Sequence, residues 1–404
     1  MIRTWLESSA TVQKFRTRAT FFTRSTAKLT FQNLLKFVLG NNRSSAQVAL
    51  NDFFIDEDYE VTKQALFEAR EKISSGALVE LNEKIVSKFY DEDNVAKTYK
   101  SYTLLGADGS VYQLPQGALS DFGGQRSALS VTMSAQGRAV IISDVINRLT
   151  ISARLEPVQN GEGKIYSEML DELRELPNPL LIHDRGFYSE KLASKIQKKG
   201  LSFLFRVKRN CQKNIDAANE PDHIITLASG LKLRVINFIL PTGENEKLVT
   251  NIFDEEMTVA DFGEIYRLRW GVETTYLMLK ERLAIENFTS AKKDLILQDF
   301  HAAVVAHNLT EIGCMEQELK HAENGADINR KNARAANRNI TVREIRRIFI
   351  EIMCETDLAV INKKMAKIER IIYRFFEDVR PGRTFPRETK FPSKKYPMNK
   401  KRNL

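Results

Sequence analysis

The sequence contains little cysteine and little tryptophan. Its 404 residues include three cysteines, Cys211, Cys314 and Cys354, and two tryptophans. No Cys-x-x-Cys pair occurs, and the five histidines lack the spacing of a zinc site. The pattern argues against a disulfide framework and a structural zinc site, and it predicts free thiols in a reducing compartment.

Long apolar runs are also absent. No stretch approaches the ~18 consecutive apolar residues of a transmembrane helix, and the first residues, MIRTWLESSATVQKF, lack the apolar segment of a signal peptide. Hydrophobic residues still make up 43% of the chain, enough for a sizeable core in roughly two or three domains. We expect a soluble cytoplasmic protein with no membrane partner.

The basic charge is concentrated at the two ends of the chain. The net charge is +9, but residues 1–43 carry +7 and residues 380–404 carry +8, so the remaining chain carries −6. Basic ends suit a polyanion such as DNA, because neutralised phosphates release counterions. The alternative is that both ends are solvated segments that only keep the protein soluble.

Residues 1–98 are predicted to form a helical N-terminal domain. Apolar residues recur at helical period over 29–39, over 44–54 and over 61–90, where the pattern is interrupted near residues 74–76. Short helices beneath a basic N-terminus fit a DNA-binding helix-turn-helix, and they fit a plain helical bundle equally well.

The pattern changes at residue 99 to an alternation of strands and helices. Strands are predicted at 102–114, 127–135, 138–146, 178–184 and 201–207, with helices at 167–176 and 189–200. The second and third strands are separated by a Gln136–Gly137 turn. This order predicts an α/β core with a mixed sheet, compatible with a ribonuclease H-like fold.

The core pattern is interrupted and then returns. Residues 208–250 are predicted to form a β insertion, with strands at 231–241 and 246–253. Helical period then covers about 259–285, so the catalytic core is expected at 99–207 and 251–290. Residues 291–379 are predicted to be helical. Residues 380–404 contain four prolines and are expected to form a basic tail.

Two aspartates stand at notable places in the predicted strands. Asp108 lies in the first strand before Gly109, where a buried carboxylate needs a partner or a metal ion. Alternatively, the strand ends at Ala107 and a D-G turn follows. Asp184 follows the apolar run LLIH, at a strand end of the kind where α/β sheets bind ligands. The other possibility is that it caps the next helix.

Glu273 is the third acid of interest. If residues 259–285 form one helix, four side chains share a stripe about 60° wide at 100° per residue: Tyr266, Arg269, Glu273 and Lys280. One interpretation is a solvated, salt-bridged face, which contributes little energy. The other is an acid held among basic residues for chemistry, and the spacing alone leaves both open.

The three acids together favour chemistry at phosphodiesters. Asp108, Asp184 and Glu273 offer hard oxygen ligands that suit Mg²⁺ or Mn²⁺ rather than zinc. Two such ions about 4 Å apart would activate water or a 3′-hydroxyl and stabilise the leaving oxygen. Arg269 and Lys280 could then bind the neighbouring phosphates.

These residues carry a resemblance to a known family. The run YRLRWGVETTYLMLK has the spacing of Tyr266, Arg269, Glu273 and Lys280 that resembles the Y-R-E-K signature of DDE transposases of the insertion-sequence-four (IS-four) family. ADGS around Asp108 and HDRGFYS around Asp184 are similar to the sequences around that family's two catalytic aspartates. FRVK, LVTNIF and RPGRTFPR are also similar, so the resemblance covers essentially the whole chain.

The resemblance implies cut-and-paste movement of a mobile element by a homodimer on paired terminal inverted repeats. Asp108, Asp184 and Glu273 would be the catalytic ligands of two Mg²⁺ (or Mn²⁺) ions. Four residues would bind DNA phosphates: Tyr266, Arg269, Lys280 and Arg206. Trp270 would be a base or DNA contact. Cleavage would proceed through a hairpin and end in strand transfer to target DNA, in a nucleoid-associated bacterial protein.

One departure concerns the hairpin step. Better-known members of the family stack a flipped base on a tryptophan of the insertion, whereas Trp5 and Trp270 are the only tryptophans here. Phe238 or Phe253 is the alternative, or the hairpin step differs. Two other functions remain open: a structure-selective ribonuclease H-like nuclease without strand transfer, and an inactive DNA-binding relative.

Overall fold

The computed structural model describes residues 1–24, 27–40, 45–91, 96–126, 132–239, 243–325 and 332–379. The predicted basic tail and the first part of the strand predicted at 127–135 lie outside these ranges. The chain forms two compact units. One comprises Met1–Ile85, Gln113–Gln136 and Met278–Leu404, and the other comprises Val86–Tyr112 and Gly137–Leu277.

The N-terminal region is helical, as the apolar periodicity predicts. Its helices are α1 (Ile2–Glu7), α2 (Ser9–Phe15), α3 (Phe31–Gly40), α4 (Ala46–Phe53), α5 (Lys63–Arg70) and α6 (Gly76–Asp91). The interruption predicted near residues 74–76 separates α5 from α6. The Thr62 side chain caps α5 by accepting from the Ala65 N–H at 3.2 Å. The apolar faces of these helices share one buried cluster that includes Phe31, Leu66 and Leu81.

A nine-stranded mixed sheet dominates the rest of the fold. Its strands are β1 (Thr103–Gln113), β2 (Gly124–Gln125), β3 (Ser134–Asp144), β4 (Leu149–Pro157), β5 (Pro179–His183), β6 (Ser202–Arg206), β7 (Asp222–Thr226), β8 (Lys232–Ile239) and β9 (Asn245–Thr250). Three helices alternate with them: α8 (Glu162–Asp171), α9 (Glu190–Lys198) and α10 (Lys213–Ala217). A 3₁₀ turn (Gln116–Ala118) and the short α7 (Leu119–Phe122) follow β1.

Strand order identifies the core of this sheet. Among the first strands, β4 pairs antiparallel with β3, and β3 lies beside β1. Next, β5 pairs parallel with β1, and β6 pairs parallel with β5. The order β4-β3-β1-β5-β6 is an antiparallel meander extended by two parallel strands beside its first strand. This arrangement confirms the predicted α/β, ribonuclease H-like fold class.

Several predicted boundaries are wrong. The Gln136–Gly137 pair lies inside β3 rather than in a turn, and the third strand of the meander is β4. The helix predicted at 167–176 is α8, which begins at Glu162 instead of after a Ser167 cap. In each case hydrogen bonds to a neighbouring strand, or burial of the residues Ile165 and Tyr166, outweigh the local turn and cap preferences.

The β insertion belongs to the same sheet. Strand β9 pairs antiparallel with β6, and β8 and β7 follow in antiparallel order. The stretch 208–223, which reads as a loop from its polarity, contains α10 and the start of β7. Polar residues are tolerated in β7 because it lies at the outer edge of the sheet.

The segment predicted as one helix over 259–285 is divided. Helix α11 (Val259–Leu268) starts with a capping box between Thr258 and Asp261. A turn at Arg269–Trp270 separates it from α12 (Gly271–Leu277), and Met278–Arg282 is π-helical. The uniform 100° step, and with it the common stripe from Tyr266 to Lys280, is therefore wrong. Extra residues per turn in a π-helix rotate later side chains out of register.

The C-terminal region is again helical. It comprises α13 (Lys293–Glu323), α14 (Arg338–Cys354) and α15 (Leu358–Arg374), with a small antiparallel pair of strands, β10 (Arg334–Ala336) and β11 (Phe376–Asp378). No helix in the described ranges is long and apolar enough to cross a membrane.

Candidate active site

The sheet register brings the two predicted aspartates to neighbouring positions. In the parallel pair β1 and β5, Gly106 lies opposite Ile182. Continuing that register by two residues places Asp108 opposite Asp184, on strands about 4.8 Å apart. Asp108 lies inside β1, so the predicted alternative of a D-G turn after Ala107 is wrong, whereas Asp184 directly follows β5.

Strand β6 extends the row to a basic residue. His183 lies opposite Phe205, so Asp184 falls opposite Arg206. The Arg206 guanidinium is 3.7 Å from Asp184 Oδ1, and its Nε donates to Glu246 Oε2 at 2.6 Å. Burial alone would lower the pKa of Arg206, but hydrogen bonding to Glu246 raises it, so this guanidinium stays charged beside Asp184.

Close packing holds α12 against this part of the sheet. A Cβ added at Gly106 would lie 2.4 Å from Val272 Cγ2, so only glycine allows the helix to approach β1 this closely. The buried Tyr276 hydroxyl donates to the Asp108 carbonyl oxygen at 2.7 Å. Glu273 lies between these two contacts in the sequence of α12, and this places its carboxylate near the aspartates.

The three acids interact electrostatically. Burial raises the pKa of Asp108, and the charges of Glu273 and Asp184 raise it further, while the Gly109 N–H and Arg269 oppose the change. Burial alone would also raise the pKa of Asp184. Donation from the Arg185 N–H and the positive charge of Arg269 reverse the direction, and the pKa of Asp184 is lowered. Asp184 is thus the more readily ionised aspartate.

Arg269 is the cation nearest the centre of this group. Its side chain is 6% exposed, and its Nη2 lies 3.9 Å from Glu273 Oε1. It also lowers the pKa of both aspartates by its charge. In the described structure its buried Nε has no hydrogen-bond partner, so this guanidinium retains capacity to bind an anionic oxygen.

Tyr266 and Trp270 flank this guanidinium. The ring centroids of Tyr266 and Trp270 lie 5.7 Å and 5.9 Å from the Arg269 guanidinium carbon. The Tyr266 hydroxyl donates to Asp184 Oδ1 at 3.0 Å. Trp270 is 53% exposed, so its ring is accessible to a flat partner such as a base.

Lys280 lies in the π-helical segment Met278–Arg282, which belongs to the other compact unit. Its side chain is half-buried. The four members of the predicted Y-R-E-K set therefore fall in three different local structures, with Tyr266 in α11, Arg269 in the turn and Glu273 in α12.

Comparison with known proteins places the chain in a family. Residues 132–309 match the family model of the transposase DDE domain. The chain belongs to the DDE transposases. The matched segment contains Asp184 and Glu273 and begins after Asp108.

The relative with a matching sequence is a putative transposase for insertion sequence element IS4SA from Synechocystis sp.. It is 24% identical over 160 residues, which make up 38% of this chain and 46% of the relative. The chain thus matches about half the length of this curated relative. Together with the DDE domain, this relative confirms the predicted resemblance to DDE transposases of the IS-four type.

Among solved structures, the cryo-EM structure of a piggyBac transposase synaptic complex with hairpin DNA is similar to the chain. The similarity covers 95% of this chain and 86% of that one, with a TM-score of 0.44 and 12% identity. A similarity of this extent does not establish a common fold, so the fold assignment above rests on strand order.

The side chains of this DDE transposase fit a divalent cation in type and charge. Asp108, Asp184 and Glu273 offer only oxygen ligands, and their negative charges raise the pKa of Asp108. In the described ranges, no three His, Cys, Asp or Glu side chains converge as a ready metal cage. The structure therefore supports the donor chemistry, and it does not present a closed coordination sphere.

Two acids near this centre escape the sequence analysis. Glu246 is buried on β9 and accepts from Arg206. Glu162, at the start of α8, lies against Gly109, and the charge of Asp108 raises its pKa in addition to burial. Both lie far from the motifs in sequence. The N-terminal position of Glu162 in a glycine-flanked helix start was the one local signal that could have identified it.

Proposed function

We propose that the chain is a cut-and-paste transposase, which cleaves DNA at the ends of a mobile element and joins those ends to target DNA. The register that sets Asp108 opposite Asp184, within a chain that carries a transposase DDE domain, is the observation that supports this function most strongly. Glu273 supplies the third carboxylate of the same electrostatic group.

Asp108, Asp184 and Glu273 would hold the divalent cations, two Mg²⁺ or Mn²⁺ ions for each active site. When bound, such ions supply an activated water or 3′-hydroxyl and stabilise the leaving oxygen. Asp184 suits this role because its lowered pKa keeps it ionised at neutral pH. Asp108 is more buried, so its charge is the one that benefits most from a nearby cation.

The basic and aromatic residues around the acids would position the DNA backbone. Arg269 offers a buried guanidinium with an unused Nε–H, which suits a phosphate oxygen. Tyr266 orients Asp184, and Arg206 lies beside the same carboxylate. Lys280 is proposed as a further phosphate contact from the motif alone.

The hairpin step needs a surface for a flipped base. Trp270 is 53% exposed and adjoins Arg269, and Phe253 is 40% exposed in the loop after β9. Stacking on an exposed aromatic ring stabilises an unpaired base by about 1–3 kcal/mol. We assign Trp270 as the first candidate and Phe253 as the second.

The proposed partner is double-stranded DNA that carries terminal inverted repeats, bound by a homodimer that also engages target DNA. The helical N-terminal region and the basic tail are proposed to contribute DNA binding, since both ends of the chain are strongly basic. Action on chromosomal DNA implies a nucleoid-associated protein in a bacterial cell.

DNA flanking the gene supplies the substrate for a test. Duplexes bearing its inverted repeats should be nicked, converted to hairpins and joined to plasmid DNA by the full chain in Mg²⁺, and EDTA should stop all three products. Glu273→Gln should abolish cleavage. The matched control is Glu264→Gln on α11, whose side chain is 51% exposed and which should cleave normally.

Other outcomes lead to different functions. Cleavage of branched DNA with neither hairpins nor joined products would favour a structure-selective nuclease. Binding to DNA with no cleavage in Mg²⁺ or Mn²⁺ would indicate an inactive relative. Normal cleavage by Glu273→Gln would contradict the assignment of the third acid.

A further inference from the structure

Glu162 lies next to the Asp108 side of the acidic centre. It is the first residue of α8, and glycines precede and follow it. A Cβ built on Gly109 would lie 2.5 Å from the Glu162 carboxyl carbon and 2.6 Å from its Oε1. The carboxylate therefore rests directly on the backbone of the residue that follows Asp108, and it has room there because residue 109 is glycine.

The same backbone amide serves two carboxylates. The Gly109 N–H donates to Asp108 Oδ1 at 2.9 Å, and it also interacts with the Glu162 carboxylate. Burial raises the pKa of Glu162, the charge of Asp108 raises it further, and Arg138 acts in the opposite direction. Asp184 also raises this pKa, so Glu162 is within electrostatic range of two of the three acids.

An ordinary structural role explains only part of this placement. An acid in the first turn stabilises a helix through its charge alone, and that effect needs no contact with β1. Two partly buried carboxylates at one amide repel each other and cost free energy unless a cation lies near both. Arg138 is on β3, where its Nη2 donates to the Val158 carbonyl oxygen at 3.3 Å, so part of its donor capacity is directed elsewhere.

We propose that Glu162 is a fourth carboxylate of the acidic centre and binds the divalent cation together with Asp108. The inference rests on the proposed function, because it assumes a cation at Asp108. Oxygen donors from a strand and from the start of a helix suit Mg²⁺ and Mn²⁺, which take carboxylate ligands from separate elements. Glu162 then also fixes the side of Asp108 on which the cation binds.

Binding of Mn²⁺ alone to the full chain, followed by electron paramagnetic resonance without DNA, tests the proposal. Glu162→Gln keeps the size of the side chain and an oxygen that can accept from Gly109, but it removes the charge. We expect it to weaken Mn²⁺ binding by about tenfold or more, the scale seen when groups around a metal are lost. Glu168→Gln, on the same helix and 49% exposed beside Arg154, should bind as the wild type does.

Gly109→Ala provides an independent variant. The added Cβ must displace the end of the Glu162 side chain, a flexible group, so the fold is retained while the carboxylate moves. We expect a similar loss of Mn²⁺ affinity. In a Glu162→Ala background the same glycine substitution should cause no further loss, because the group that it displaces is already absent.

The outcomes separate this inference from the proposed function. If Asp108→Asn weakens Mn²⁺ binding while Glu162→Gln and Gly109→Ala bind normally, the fourth carboxylate is wrong and the three-acid site stands. If the wild type binds no Mn²⁺, or Asp108→Asn binds it normally, both are overturned. A purely structural Glu162 would lower the melting temperature of Glu162→Gln without changing its Mn²⁺ affinity.

Discussion

The hydroxyl of Tyr266 donates a hydrogen bond to Oδ1 of Asp184 over 3.0 Å. Burial raises the pKa of Tyr266 to about 12, and the charge of Asp184 contributes to this increase. The tyrosine therefore remains protonated at neutral pH and can always donate. This bond, together with Arg206 at 3.7 Å from the same oxygen, fixes the orientation of the Asp184 carboxylate.

Tyr266→Phe should slow DNA cleavage by about 10- to 100-fold while leaving DNA binding nearly unchanged. A hydrogen bond to a charged group is worth about 1.5–3 kcal/mol, and its loss lets the Asp184 carboxylate rotate. Single-turnover cleavage and gel-shift measurements separate the two effects. The control is Tyr188→Phe, whose hydroxyl donates to Gln212 at 3.2 Å. Equal slowing in both variants would show a general folding defect instead.

His183 makes folding stability depend on pH. Burial lowers its pKa from 6.5 to about 3, and its ring stacks on Phe205 at 4.2 Å and contacts the Tyr166 hydroxyl at 2.6 Å. Below pH 6.5 the unfolded chain binds a proton that the folded chain does not, so stability falls as the pH is lowered towards 3. The loss at pH 5 relative to neutral pH should be about 2 kcal/mol.

His183→Phe should remove this contribution. Urea unfolding at pH 7 and pH 5 should show a smaller difference for His183→Phe than for the wild type, although the unpaired Tyr166 hydroxyl lowers stability at both values. His223→Gln changes an exposed histidine that pairs with Glu220, and it should retain the wild-type difference. An unchanged difference in His183→Phe would refute the buried neutral state.

Arg70 organises a buried polar network in the helical unit. Its side chain is 1% exposed, and its Nη2 lies 2.7 Å from Asp299 Oδ1. It also donates to Gln298 and Thr289. Arg70→Met should lower the free energy of unfolding by about 3–5 kcal/mol, because Asp299 is left buried without its cation.

Urea denaturation with an exposed pair as reference checks this prediction. Lys292→Met removes the ion pair with Glu71, whose side chains are 64% and 38% exposed, and it should cost less than about 1 kcal/mol. A comparable loss in the two variants would mean that the Arg70 network contributes no more than a surface pair.

Deletion of residues 380–404 should weaken DNA binding and flatten its dependence on salt. This segment carries +8, and each phosphate that it neutralises contributes about −0.9 to the slope of log K against log salt. A tail of the same length in which glutamine replaces every lysine and arginine controls for length. If the slope stays at the wild-type value, the segment only aids solubility.

The order of secondary structure could be predicted from apolar periodicity, since β5 and β6 are short buried runs and α9 ends at the glycine expected. The division between α11 and α12 could not. Arg269 and Trp270 have helical neighbours on both sides, and the turn between them depends on Val272 packing against Gly106. The strand β4 was missed because its pairing with β3 is a tertiary contact.

The site shows the same division. Asp108 and Asp184 could be selected from strand ends, and Glu273 from its spacing to Arg269. Their common register follows from the parallel pairing of β1 with β5, which no local pattern specifies. Glu162 and Glu246 reach the site across many residues, so sequence spacing carried no information about their role.

The most direct test compares cleavage rates of Asp108→Asn, Asp184→Asn and Glu273→Gln with the Glu264→Gln control, on DNA bearing the inverted repeats and at fixed Mg²⁺. Each acid variant should lose cleavage by about 10³-fold or more, equivalent to about 4 kcal/mol of lost transition-state stabilisation, while the control and the DNA affinity of all four variants stay near wild type. Cleavage at the wild-type rate by any one of the three acid variants would contradict a three-carboxylate active site.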